Sequence, residues 1–153
     1  MEENEYLKAW FKGFSNSLEL ISTAERQKIM CQCGKSWAEA EILSVYQQAY
    51  NASGGDLMKT IRLLQDAFSP NIIYEPVDES GIPEGKCFDV MYFCCVCDLV
   101  KARYVDSPFF CESTKQSLLF VWEELVGKGN VSVETKQTIL NGSNSCIFRV
   151  TFR

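Results

Sequence analysis

The apolar positions of this chain change period half-way along it. Leu7, Trp10, Phe11, Phe14, Leu18 and Ile21 recur at intervals of three and four residues, the spacing that lines one face of an α-helix. Ser22 with Glu25 three residues later has the form of a capping box and predicts the start of a second helix. Its buried face reads as Ile29, Cys33, Trp37 and Ala40, which assigns Cys33 to the core and leaves Cys31 as a surface thiol. The pattern runs on to Tyr50 and is weakest at Gly34. After a loop over 51–55, Asp56 caps a third helix with the stripe Leu57, Ile61, Leu64 and Phe68, and Ser69-Pro70 ends it.

From there the period is that of strands. Ile72, Ile73 and Tyr74 form a short strand before Pro76, residues 78–85 read as turns, and the aromatic and β-branched run Phe88 to Cys94 predicts a second strand. Residues 98–112 show no period and read as a loop. Ser113 and Gln116 repeat the capping-box form ahead of a helix that carries Leu118, Leu119, Val121, Trp122, Leu125 and Val126, with Gly127 as its C-terminal cap. Val131, Val133, Thr135, Gln137 and Ile139 then alternate with polar residues up to Asn141-Gly142, a hairpin turn signal. The returning strand places Cys146, Phe148, Val150 and Phe152 on one face, and parity across the turn points Cys146 inward. The expected fold is α+β, an antiparallel sheet of about four strands with helices packed on one face. Residues 1–153 read as a single domain, with a helical layer over 1–70 and a strand-strand-helix-hairpin module over 71–153.

Composition narrows the chemistry. The 153 residues include eight cysteines and no histidine, which excludes Ser-His-Asp and Cys-His catalysis, His-ligated metals and haem held by an axial histidine. A formal charge of -5 opposes a sequence-independent grip on phosphate backbones, so nucleic acid is not an expected partner. The apolar run from Val90 to Cys97 has 8 residues, against about 20 for a membrane-spanning helix, and no membrane insertion is expected. Met1 to Glu5 is acidic, unlike a secretory signal, and the chain reads as cytoplasmic with reduced thiols.

Cys94, Cys95 and Cys97 form the densest thiol group. In an extended segment Cys95 and Cys97 point to the same side, about 6.6–6.8 Å apart along the backbone. With Cys111 and the inward Cys146 they make a candidate four-sulfur zinc site. Buried cysteine also packs as a small apolar group, and both readings stand open. Cys111, at a helix N-terminus, is in addition a candidate nucleophile, with a carboxylate, a lysine or water as its base. Trp37, Phe93, Tyr104, Phe109, Phe110, Phe120 and Trp122 are candidates to line an apolar ligand cavity between helices and sheet, or to serve as plain core.

The run Phe110-Cys111-Glu112-Ser113, then Phe120-Val121-Trp122-Glu123-Glu124-Leu125-Val126-Gly127, the Val131-x-Val133-Glu134 strand and Gly142-x-x-x-Cys146-x-Phe148-Arg149-Val150 together resemble the four-vinyl reductase domain, also called the hydrocarbon-binding domain, over residues 87–153. That family is related to haem-NO-binding proteins and vesicle-tethering subunits. The helical half, including Cys33-Gly34, is similar to companion sequence in uncharacterised proteins of anaerobic bacteria. The resemblance implies an α/β module enclosing a small apolar or aromatic ligand, non-catalytic and sensory, dimerising through a helical face. It also implies a structural zinc, with Cys111 and Cys146 standing where two ligands belong. Where the family has a further cysteine this chain has Thr138, and the acidic ligand's place falls near Thr135, one step from Glu134. A full set of ligands then requires Cys95 and Cys97. The haem branch is implied to be absent, for want of histidine. A second, shorter resemblance covers Lys136-Gln137-Thr138-Ile139-x-x-Gly142-x-x-x-Cys146-x-Phe148-Arg149, which is similar to the tail of the 2-aminothiazoline-4-carboxylate hydrolases. It implies the alternative function, opening of a cyclic cysteine precursor.

Overall fold

The computed structural model describes residues 3–153. Four helices come first: α1 (Glu3–Glu19), α2 (Thr23–Glu41), α3 (Leu43–Ala52) and α4 (Leu57–Phe68). Strands β1 (Ile72–Pro76) and β2 (Cys87–Tyr92) follow, then a short α5 (Asp98–Lys101), a 3-10 turn over Pro108–Phe110 and the long α6 (Cys111–Val126). Strands β3 (Val131–Gln137) and β4 (Cys146–Phe152) close the chain. The sheet order is β1-β2-β4-β3 with every neighbouring pair antiparallel, the α+β arrangement that the change of period predicts.

Alternation along the strands sorts side chains to two faces. Phe88, Val90 and Tyr92 of β2 and Cys146, Phe148, Val150 and Phe152 of β4 are buried against Leu118, Val121 and Trp122 of α6, Tyr46 of α3 and Leu64 of α4. Cys146 thus points inward as hairpin parity requires, although the connection is longer than a two-residue turn. It includes a 3-10 turn over Ile139–Asn141, and the ladder shifts register between Thr135 and Gln137. On the opposite face Arg149 donates to both carboxylate oxygens of its cross-strand partner Asp89, at 2.8 and 3.0 Å. Edge strand β1 is tied to α4 by one side chain: Gln65 donates to the Ile72 carbonyl at 3.0 Å and accepts from the Tyr74 amide at 2.7 Å. That satisfies two backbone groups an edge strand would otherwise leave unpaired.

Local signals hold for several helix ends. Ser22 and Glu25 make the reciprocal capping box, Asp56 accepts from the Lys59 amide, and Gly127 closes α6 at φ +93°. Three expectations are corrected. First, the buried positions of α2 are Met30, Gly34 and Ala38; Cys33 is exposed and Trp37 is 50% exposed. The contact with α6 is so close that a Cβ on Gly34 would lie 2.5 Å from the Ser113 carbonyl oxygen. Gly34 and Ala38 are buried on this side of the helix, whereas Trp37 is turned aside. Second, the helix breaks at Ile42 (φ -122°, ψ -23°), not at Gly34, and the new direction carries Tyr46 into the core. Third, Ser113 is not a cap. Pro108 opens a 3-10 turn that feeds α6 at Cys111, and the Gln116 amide donates to Glu112 within the helix at 2.8 Å. Part of the stretch read as a loop is accordingly helical.

A second, smaller cluster joins Leu18 of α1 and Met30 of α2 to Val105 and Phe110. Trp10, placed on the apolar stripe of α1, is 54% exposed and stacks on Phe14 at 5.6 Å.

Candidate functional site

The elements leave a chamber of about 410 Å3 between helices and sheet. Cys33 and Trp37 of α2, Ile42 and Tyr46 where α3 begins, and Phe68 of α4 form one side. Thr114, Ser117 and Leu118 of α6 and Tyr92 at the end of β2 form the other, with Val96 to Leu99 across the mouth. The break at Ile42 and the close α2–α6 approach together create this space, because they direct Trp37 and Tyr46 to the same side of α6. Its volume lies in the range of about 300–1,000 Å3 typical of small-molecule sites. Two of the wall hydroxyls are engaged: that of Tyr46 is 2.8 Å from the Tyr74 hydroxyl, and that of Ser117 lies 2.9 Å from the Gly34 and Ser113 carbonyls.

Next to the chamber, and sharing Tyr92, Val96, Cys97 and Thr114 with it, is a pocket of about 20 Å3. Cys95, Cys97, Cys111 and Cys146 all line it, with Phe110, Leu140 and Phe148. Space of that size admits about one water or one small ion. The Cys146 sulfur accepts the Ile139 amide at 3.3 Å. Burial pushes the Cys111 thiol up to about 11, reinforced by the nearby Cys146 and opposed by a hydrogen bond with Thr138. Burial raises Cys146 as well. A helix N-terminus lowers a thiol pKa, but at Cys111 desolvation by burial outweighs it and the thiol is raised. The soft donor set suits zinc, but among the described residues no three metal-ligating side chains gather closely enough to hold one ion.

Cys111 also forms part of a polar groove of about 230 Å3 with Gln27, Glu112, Thr138 and Asn141. Arg26 borders this groove, but its guanidinium is committed to the Leu18 and Ile21 carbonyls, both at 3.1 Å, and lies over the Phe109 ring.

Of the aromatic candidates, Trp37 lines the chamber and Phe110 the cysteine pocket. The others stand elsewhere. Trp122 is fully buried between Tyr46 and Phe152, Tyr104 stacks on Phe11 at 5.5 Å, Phe120 lies under the Lys35 ammonium, and Phe93 is 51% exposed. Sequence reasoning missed Tyr46 and Tyr92. The signal for Tyr92 was present, since it shares parity with Phe88 and Val90 on the inward face of β2; Tyr46 depended on the helix break.

No protein-family model matches the chain, and no curated protein matches it. Among solved structures it is similar to a trafficking protein particle complex subunit 3 from Naegleria fowleri covalently bound to palmitic acid. The identity is 13%, the match covers 98% of this chain and 95% of that one, and the TM-score is 0.43. Likeness at that level carries nothing about ligand or activity. No described helix is long and apolar enough to cross a membrane.

Proposed function

We propose that this protein is a non-catalytic binding module for a small apolar or aromatic molecule, held in the chamber between α2, α3, α6 and the end of β2. The observation that carries this is a cavity of about 410 Å3 whose wall is predominantly aromatic, aliphatic and thiol side chains. A concave, mostly apolar space of this size with a few polar groups in its wall is the usual form of a small-molecule site. The resemblance of the C-terminal half to the hydrocarbon-binding domain supports the same reading. A hydrolytic role is less well supported, because the thiol best placed for it is held protonated by burial.

Titration of ethylbenzene into the purified protein, followed by calorimetry and by the fluorescence of the chamber's Trp37, tests the reading. Saturable binding with one molecule per chain is expected. No binding by any member of a panel of apolar and aromatic probes, together with no molecule released on organic extraction of natively purified protein, overturns it.

The convergence of Cys95, Cys97, Cys111 and Cys146 on one pocket supports a second component, a structural zinc on those four thiols. Their side chains would have to be drawn together to hold it. Elemental analysis after thiol-protected purification is expected to give one zinc per chain, reduced by each Cys→Ala change. Well under one zinc per chain in the unaltered protein removes this component and leaves the chamber reading intact.

A further inference from the structure

We infer that the Tyr92 hydroxyl is the specificity-determining group of the chamber, a hydrogen-bond donor that selects uncharged ligands bearing one oxygen acceptor, such as a ketone, over bare hydrocarbons and over carboxylates. This rests on the reading of the chamber as a ligand site.

Tyr92 is the last residue of β2 and is 7% exposed. Its ring is fixed by an edge-on contact with Phe148, with centroids 5.9 Å apart. It borders both the chamber and the cysteine pocket. Its hydroxyl makes no hydrogen bond to any described residue. Among the described residues, the one enclosed side-chain polar atom without a partner is Trp122 Nε1. The Tyr92 oxygen therefore keeps an open side, and the space beside it is that of the two cavities.

The neighbouring polar groups make this choice sharper. The Tyr46 hydroxyl is paired with that of Tyr74, either of the two donating, and Ser117 spends its proton on backbone carbonyls. Ser113 and Thr114, on the facing helix, are the other wall hydroxyls without a partner among the described residues. A tyrosine phenol carries its proton at neutral pH, so the Tyr92 hydroxyl offers a donor rather than a negative charge. Among the described residues no lysine or arginine lines the chamber, and Asp98 at its rim is paired with Lys101 at 3.5 Å. A carboxylate entering there would be desolvated without a counter-charge, an unfavourable exchange. An uncharged carbonyl would instead meet a phenol donor that no other described residue engages.

Three probes of one ring type test this: ethylbenzene, acetophenone and benzoate, titrated into the unaltered protein and into Tyr92→Phe. Acetophenone is expected to bind about two- to tenfold more tightly than ethylbenzene, the range for one neutral hydrogen bond. Benzoate is expected to bind at least about tenfold more weakly than acetophenone. In Tyr92→Phe the acetophenone advantage should disappear while ethylbenzene affinity stays within about twofold. An advantage that survives in Tyr92→Phe, or benzoate as the tightest probe, overturns the inference while leaving the chamber as a ligand site. Failure of all three to bind the unaltered protein overturns the chamber reading and this inference with it. Should Tyr92→Phe fail to fold, the carbonyl stretch of isotope-labelled acetophenone bound to the unaltered protein and to a variant carrying both Ser113→Ala and Thr114→Val reads the same bond. A shift below the value in hexane in both is expected, and a hexane-like frequency in either overturns the assignment.

Discussion

The chamber and the cysteine pocket share four wall residues yet differ in volume, about 410 Å3 against about 20 Å3. The difference follows from what borders each. The chamber lies where two helices part company, α2 held to α6 by Gly34 and α3 turned away at Ile42. The pocket lies where the hairpin connection and the start of α6 fold down onto the end of β2, and medium-sized thiols fill the gap. One is a space large enough for a molecule, the other a space for an ion or a water. A binding module and a cross-link of its walls can therefore occupy neighbouring sites without competing for volume, with Cys97 and Tyr92 facing both.

The contrast is broken most strongly at tryptophan. Trp122 is fully buried and edge-on to both Tyr46 and Phe152, at 5.3 and 4.9 Å. Trp122→Ala should cost about 3–5 kcal/mol of stability by leaving a cavity in the core, read as a lowered urea midpoint. Trp37 is half exposed at the chamber wall, so Trp37→Ala should cost no more than about 1 kcal/mol of stability. It should weaken ethylbenzene binding by about tenfold. Equal stability losses for the two, or unchanged binding in Trp37→Ala, would mean that the chamber is only an extension of the core.

A smaller effect is expected at glycine. Gly34→Ala forces a methyl group against the α6 backbone, and should destabilise by about 1–3 kcal/mol as overpacking does. Gly13 in α1 has nothing within 4 Å of an added Cβ, so Gly13→Ala should stabilise by up to about 1 kcal/mol through helix propensity. Thermal denaturation of both variants gives shifts of opposite sign if the α2–α6 contact is what sets the chamber's width. A tolerated Gly34→Ala would show that the helices can separate.

Gly34 also marks where the sequence stopped being informative. Reading apolar stripes weights large side chains, so it placed Cys33 and Trp37 against the core. A helix pair that packs backbone to backbone uses small residues at the contact, and Gly34 and Ala38 carry too weak an apolar signal to be chosen over Trp37. Where one element's pattern is strict, the reading was sound. The β4 alternation placed Cys146 and Phe148 inward, and the Asp56 cap and stripe located α4 to the residue. Of the site, the four thiols lining one pocket were legible from parity and position. The chamber was not, since it depends on a helix break at Ile42 that no glycine or proline announces.

The smallest expected effect separates the pocket from the chamber by titration. Cys111 has its thiol raised from an ordinary 9.0 to about 11, chiefly by burial. A raised pKa means that the folded state holds the proton more tightly than the unfolded one. Its contribution is therefore complete below pH 9 and is lost as pH rises from 9 towards 11. In metal-free buffer, the stability of the unaltered protein relative to Cys111→Ala should decline across that window, measured by urea midpoints at each pH. A Trp37→Ala background should leave the decline unchanged, because the chamber wall it alters does not include Cys111. With zinc added the sense of the difference should reverse, since thiolate coordination favours the deprotonated form. A decline that persists unchanged in zinc would leave the four thiols as packing, and the neighbouring chamber as the one site with a ligand.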